Sequence, residues 1–246
     1  MIDRLFIRER SMSAFLKKNA ILVTGAGQRI GEYLVRQFLL QGSYPVVFTY
    51  RTPRATVDEL IALGAIGIQC DYTQQNDLPG LVKQLKQHCL SLRAIIHNAS
   101  LWLSDDQAPA LSEPYQSLFR VHVEAPNYLN EQLQSLLLAS DSEMKDIISL
   151  SDYSVNRVTD NYAAYLSSKA AMQTVSQVFA KKFAPDIKVN DIAPALIEFN
   201  IGDTEEYKTK RLTQAAIPIE PGAKVVWQAV NYIMNSPYTT GISLPL

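Results

Sequence analysis

Cysteine is nearly absent from this chain: two occur in 246 residues, Cys70 and Cys89, with no CxxC pair and no metal-ligand spacing around them. That excludes a disulfide framework and a thiolate metal centre, suits a reducing compartment, and leaves ordinary buried thiols as the reading of both. Excess charge of one sign is equally scarce, since 23 Lys and Arg face 24 Asp and Glu for a formal net charge of -1. No basic surplus is left to neutralise a phosphate backbone, so nucleic acid is not expected as a partner, and anionic ligands have to be held locally. Long apolar runs are missing too. Met1 to Lys18 mixes Asp3, Arg4, Arg8, Glu9 and Arg10 with scattered apolar residues, which does not make a signal peptide. No later segment has the length and apolarity of a membrane span, so a cytoplasmic protein with no membrane partner is expected. Repeats, low-complexity tracts and linkers are also lacking.

At 47% hydrophobic and 19% charged residues, the chain can bury one substantial core. A single domain over 20–246 is expected, preceded by residues 1–19. That segment is read either as a disordered extension or as residues ahead of a second translation start at Met12. Short β-branched runs read as strands at Ala20 to Val23, Pro45 to Tyr50, Ile66 to Cys70, Ala94 to His97, Asp146 to Leu150 and Lys188 to Ile192. Amphipathic segments alternate with them: one after Ile30, then Thr56 to Leu63, Leu78 to Cys89, two within Glu113 to Leu138, and Tyr162 to Phe183. Such alternation predicts an α/β fold of the Rossmann type, a doubly wound parallel sheet in three α/β/α layers. Residues 195–216, polar and irregular between apolar segments, are expected to form a mobile substrate loop.

Behind the first strand stands Thr24-Gly25-Ala26-Gly27-Gln28-Arg29-Ile30-Gly31, a glycine-rich turn that enters a helix. Glycines allow close backbone approach, and the helix N-terminus offers unpaired N–H groups to a pyrophosphate. Gly25, Gln28, Arg29 and Ile30 are thus candidates for holding a dinucleotide. The second strand ends in Tyr50-Arg51-Thr52, where an NAD-selective site carries an acidic residue. Arg51 can make charge-assisted bonds to a 2′-phosphate with Thr52 adding a hydroxyl, which selects NADPH; the rival reading is a solvated surface arginine. Asp71 is either an acceptor for the adenine amino group or a surface carboxylate.

Tyr165 and Lys169 lie four residues apart on one face of a predicted helix, in the pattern Tyr165-Leu166-Ser167-Ser168-Lys169. The ammonium is expected to lower the phenol pKa from about 10, so that Tyr165 exchanges a proton near neutral pH while Lys169 also bonds the nicotinamide ribose. Taken alone the pair also fits a plain helix surface.

With ILVTGAGQRIG, HNAS and YLSSK in place, the chain from Ala20 to Gly241 resembles the short-chain dehydrogenase/reductase family, and within it the pteridine reductase branch. The narrower resemblance rests on Arg29 in the turn, on Asp152 where most members have serine, on Trp102 within HNASLW, and on FTYRT and VNDIAPALIEFN. It implies cofactor contacts at Asn98, Ala99 and Pro194, and a substrate site of Arg29, Ser100, Trp102, Asp152 and Tyr165. Arg29 is implied to reach both phosphates and pterin, and Trp102 to stack on the pterin ring, where a stacked aromatic contact adds about 0.5 to 1.5 kcal/mol. Asp152, Tyr165 and Lys169 are implied as the catalytic set, since a carboxylate suits an imine in a heterocycle better than a ketone. The alternatives are a core aromatic for Trp102, a strand-end cap for Asp152 and a surface cation for Arg29.

The activity implied is NADPH-dependent reduction of a 7,8-dihydropterin, dihydromonapterin above all, with dihydrofolate or dihydrobiopterin as further substrates, by a homotetramer paired through its long fourth and fifth helices. A carbonyl or 3-oxoacyl-thioester reductase shares the same cofactor residues, and a non-catalytic NADPH-sensing protein shares the fold. Three departures stand out. His122 replaces the helix asparagine that holds a relay water, and like His88 and His97 it reads as packing or solvation, no metal being expected. Ile197 replaces a serine near the substrate, and the chain ends at Leu246 without a glycine-rich tail.

Overall fold

The computed structural model describes residues 16–157 and 160–246. Its centre is a seven-stranded parallel sheet in the order β3-β2-β1-β4-β5-β6-β7. The strands are β1 (Ala20–Val23), β2 (Val46–Tyr50), β3 (Ile66–Gln69), β4 (Leu92–His97), β5 (Asp146–Leu150), β6 (Lys188–Ala193) and β7 (Ser243–Pro245). The fully buried strands read as continuous apolar runs because helices cover both faces, and Ala20 to Val23 has no exposure at all. One face packs under α3 (Asp77–His88), α5 (Ala125–Leu138) and α6 (Ala163–Phe183). The other packs under α1 (Arg29–Gln41), α2 (Ala55–Ala62) and α8 (Lys224–Asn235). The predicted three-layer arrangement is the one observed.

Helix α1 shows why these segments fold as they do. Gly31, Leu34, Val35 and Phe38 fall on one stripe and are buried, and Gly42 ends the helix in the left-handed region at φ 66°, its N–H bonded to the Phe38 carbonyl. Phe38 meets Trp227 of α8 edge-on with ring centroids 4.7 Å apart. Burial of each such large apolar side chain contributes about 1.5 to 3 kcal/mol.

The structure departs from expectation in several places. The predicted 1–19 extension is too long, because Lys17 already pairs with the body: its N–H donates to the His88 carbonyl and its carbonyl accepts from Leu90, both at 2.8 Å. Met12 lies outside the described residues. Two helices do occupy 113–138, α4 (Glu113–Phe119) and α5, joined through a π-helical turn, Arg120–Glu124. The loop expected over 195–216 contains α7 (Glu205–Thr213), a helix with no buried residue. It is held by end effects: the Thr204 hydroxyl caps Tyr207 N, Glu205 and Glu206 occupy the first turn, and Lys210 and Arg211 the last. The sequence reading marks neither α8 nor the three-residue β7. Among the described residues no helix is long and apolar enough to cross a membrane.

At the amino end of the sheet, three charged side chains from adjacent strands meet in the interior. Arg93 bonds Asp146 at 2.5 Å, and Lys188 lies 3.0 Å from the other carboxylate oxygen. Both cations also donate to the C-terminal end of α8, Arg93 to the Met234 carbonyl at 2.9 Å and Lys188 to those of Ile233 and Ser236 at 2.7 and 2.6 Å. Burial pushes the Asp146 carboxyl up, while the two cations oppose that shift. Asp146→Ala leaves two buried cations facing each other. It is expected to lower stability by about 3 to 5 kcal/mol, the range for breaking a buried ion pair, as read from the midpoint and slope of urea unfolding.

Candidate active site

The strand order reverses between β1 and β4, and the crevice beyond their carboxyl ends is where such sheets take ligands. There Gly25 adopts φ +63°, and a Cβ on it would come within 2.5 Å of the Ala99 Cα. Asn98 braces the turn: its amide donates to the Thr24 carbonyl at 2.9 Å and the Gly25 carbonyl at 3.0 Å, and it abuts Gly31 where a Cβ would collide. Thr24 returns the contact, its hydroxyl accepting from Asn98 N and Ala99 N at 3.0 Å. The predicted cofactor residue Asn98 thus has its side chain committed to the turn itself.

The cleft brings together Gly25, Gln28, Arg51, Thr52, Asp71, Ala99 and Ser100 among the predicted residues, and adds Arg54, Tyr72 and Thr73. Gln28, at the N-cap of α1, makes no side-chain cap. The first turn therefore keeps N–H groups without a side-chain partner beside a glycine floor, a setting that fits a pyrophosphate. Arg54 is a second exposed cation next to Arg51 that the sequence reading passes over, although the spacing RTPR displays it. Asp71 shapes its own turn, Oδ1 accepting from Thr73 N at 3.0 Å and the Thr73 hydroxyl at 2.9 Å. Ile30 packs against the core, and the Pro194 carbonyl accepts from Tyr153 N at 3.0 Å, joining the ends of β5 and β6.

Across the crevice, Asp152 follows β5, and Tyr165 and Lys169 project from α6. Helix α6 is aimed by Asp105, whose carboxylate accepts from Ala163 N at 2.7 Å. The Tyr165 hydroxyl donates to Asp152 Oδ2 at 2.8 Å, while Asp152 Oδ1 accepts from Ser154 N at 2.7 Å. Asp152 therefore acts as the cap through one oxygen and meets Tyr165 through the other. The expected lowering of the tyrosine pKa is not what this arrangement produces. Burial raises it, and so does Asp152 through its charge and its hydrogen bond. Lys169 does not reverse this: its ammonium donates to the Leu150 carbonyl at 2.8 Å and lies 5.9 Å from the Tyr165 ring centre.

Sequence reasoning also missed Asp191, a carboxylate buried in β6. It accepts from the hydroxyls of Ser151 and Ser243 at 2.6 Å and from Ser151 N at 3.1 Å. Burial pushes its carboxyl up to about 6. Burial likewise brings Lys169 down to about 8, with Asp152 and Asp191 acting to hold its proton. The available signal was an acidic residue inside a strand whose residues are all buried.

In the segment after β4, Trp102 is 58% exposed, which rules out the core-aromatic alternative. Its ring lies against Tyr162 with centroids 5.0 Å apart and planes tilted by 31°. Tyr162 was not anticipated. Arg29 adopts φ +54° and donates to Asn200 Oδ1 at 2.7 Å and the Glu198 carbonyl at 2.9 Å, with the Glu198 carboxylate 3.7 Å away. It thereby joins the glycine-rich turn to the segment after β6. Ile197 is buried in the core. His97 is also a packing residue, buried, bonded to Asn130 at 2.8 Å and brought down to about 4 by burial. Ser100 meets His122 at 2.9 Å.

The Lys169 ammonium is lost as pH rises through about 8. Since kcat/KM reports the free enzyme, it is expected to fall above that pH. Asp191 supports the ammonium, so Asp191→Asn moves this limb to lower pH; a pH–rate profile of the two proteins checks both statements.

The chain has relatives among known proteins. The family model for short chain dehydrogenase matches residues 19–209. A dihydromonapterin reductase from Klebsiella pneumoniae is 41% identical over 223 residues, covering 91% of this chain and 92% of its own. One from Escherichia coli O6:K15:H31 is 39% identical over 226 residues, covering 92% and 94%. Among solved structures, an alternative dihydrofolate reductase from Brucella canis complexed with NADP superposes with a TM-score of 0.81 at 25% identity, covering 94% of this chain and 93% of that one. With its glycine-rich turn, its tyrosine–lysine helix and this match over most of its length, the chain belongs to the short-chain dehydrogenase family.

Proposed function

We propose that this protein reduces a 7,8-dihydropterin to the tetrahydropterin with NADPH, dihydromonapterin being the favoured substrate and dihydrofolate or dihydrobiopterin further ones. The observation that carries the reading is the Tyr165–Asp152 hydrogen bond of 2.8 Å. A carboxylate stands where a ketone reductase needs a hydroxyl donor, and beside it Trp102 offers an exposed aromatic face. The names of the relatives and the NADP in the Brucella protein support the same reading.

Arg51, Thr52 and Arg54 would hold the 2′-phosphate, and Gly25 with the first turn of α1 the pyrophosphate. When bound, the reduced nicotinamide supplies the hydride, to C6 of the C6=N5 imine. The chain's own residues handle the proton and the orientation. As the imine bond electrons move to N5, that atom takes a proton, for which Tyr165 is the donor or relay member. Burial and Asp152 keep the phenol protonated. Asp152 orients the phenol and accepts bonds from the heterocycle edge, Lys169 fixes the floor through Leu150 and anchors the ribose, and Arg29 binds the pterin edge and the phosphates. The protein is further proposed to work in the cytoplasm as a homotetramer, a reading supported by the exposed apolar Leu138 and Val178 on α5 and α6.

Following NADPH consumption with dihydromonapterin, dihydrobiopterin, dihydrofolate and a simple diketone tests the assignment. Turnover confined to the diketone, or no turnover at all, overturns it. Tyr165→Phe is expected to cut turnover by about 10² to 10⁴, the usual contribution of a general acid, with NADPH affinity held within about twofold. Arg51→Ala removes charged hydrogen bonds of about 1.5 to 3 kcal/mol, so NADPH binding should weaken about 10- to 100-fold while NADH binding is unchanged; titration by fluorescence decides.

A further inference from the structure

His122 lies in the π-helical turn between α4 and α5 and is completely buried. Both ring nitrogens have partners, and the partners assign the protons. Leu101 N–H, a backbone group that can only donate, points at Nε2 from 3.1 Å, so Nε2 carries a lone pair. The Ser100 hydroxyl lies 2.9 Å from the same atom and 3.3 Å from the Leu101 carbonyl, between which its hydrogen is shared. The ring hydrogen is then on Nδ1 and is donated to the Ser168 hydroxyl at 2.8 Å. Ser168 passes its own hydrogen to the Tyr165 backbone carbonyl at 2.7 Å. Burial, reinforced by Lys169, holds the imidazole neutral by bringing its pKa well below the ordinary histidine value. The ring edge also meets the Tyr165 ring, with centroids 5.7 Å apart and planes at 81°.

One hydrogen-bonded chain therefore runs from the segment that presents Ser100 and Trp102 to the turn of α6 that presents Tyr165. We propose that His122 is a positioning residue: through its Nε2 acceptor it fixes the Ser100–Trp102 segment relative to Tyr165, and so sets how well the substrate ring is held. This rests on the dihydropterin reading only for the identity of the substrate. His122 sits in a π-helical turn, a feature frequent at functional sites.

Two substitutions separate this role from simple packing. His122→Gln places an amide oxygen where Nε2 lies and keeps an acceptor for Leu101 N–H. His122→Asn keeps a donor near Nδ1 for Ser168 and loses the Leu101 contact. With whichever substrate the wild type reduces, His122→Asn is expected to raise the substrate KM about tenfold, the loss of roughly one buried hydrogen bond, with a smaller fall in kcat and NADPH affinity within about twofold. His122→Gln is expected to stay within about threefold of the wild-type KM, as retention of that bond requires. Equal KM values for the two variants, or loss confined to NADPH affinity, overturn the proposal. ¹⁵N imidazole spectra of the wild-type protein test it without any variant. A neutral ring protonated on Nδ1 at neutral pH is the expected state, and an Nε2–H tautomer or an imidazolium rejects it. Failure of the pterin reading shows instead in the wild-type substrate panel, leaving the imidazole spectra to stand on their own.

Discussion

Everything at the working end of this molecule depends on how closely two strand ends can approach. β1 and β4 are neighbours, and their continuations diverge toward opposite halves of the sheet. Where they part, the backbone of Gly25 comes so near Ala99 that only a hydrogen fits between them. Asn98 and Thr24 lock that approach with four hydrogen bonds that cross from one strand end to the other. The glycine-floored cleft, the segment leading to Trp102 and the entry of α1 all lie beside this one contact. Loosening it would displace both the glycine-rich turn and the segment after β4.

The interior carries more ionisable groups than a chain with so little net charge suggests, and each is answered by a neighbour. Lys169 is solvated by a carbonyl at the end of β5, with Asp152 and Asp191 supplying negative charge nearby. Asp191 in turn is solvated by two serine hydroxyls, one of them on the last strand. The sheet edge and α6 are thus connected electrostatically. At the opposite end of the strands, the Arg93, Asp146 and Lys188 cluster serves the fold, seating the end of α8. The two clusters show similar chemistry at opposite ends of the strands.

Much of this was legible in advance, for reasons that differ from residue to residue. Strands buried on both faces announce themselves as apolar runs, and the glycine turn and the YLSSK helix are local patterns whose spacing is their geometry. Helix α7 was missed because it buries nothing, leaving only its capping residues as a trace. β7 was missed because three residues containing a proline have no period to detect. Asp191 and Arg54 are single residues whose meaning depends on what the fold places beside them. The direction of the Tyr165 shift was misjudged for the same reason: spacing on a helix puts Lys169 near the ring, but the hydroxyl is engaged by Asp152 from another element. His122 was read as packing, and its partners lie on two segments that are remote in sequence.

The backbone of Arg29 bears on the family's design at this turn. At φ +54° it occupies a conformation natural to glycine, which costs a side chain of its kind about 1 to 2 kcal/mol. A glycine there would relax the chain, yet it would sever the tether to Glu198 and Asn200. The molecule thus tolerates a strained residue at the mouth of a helix in return for a single guanidinium that can be shared between two sides of the crevice. Were this guanidinium to move, the Glu198 to Asn200 segment would lose both of those hydrogen bonds, so the rim of the crevice depends on where one side chain rests.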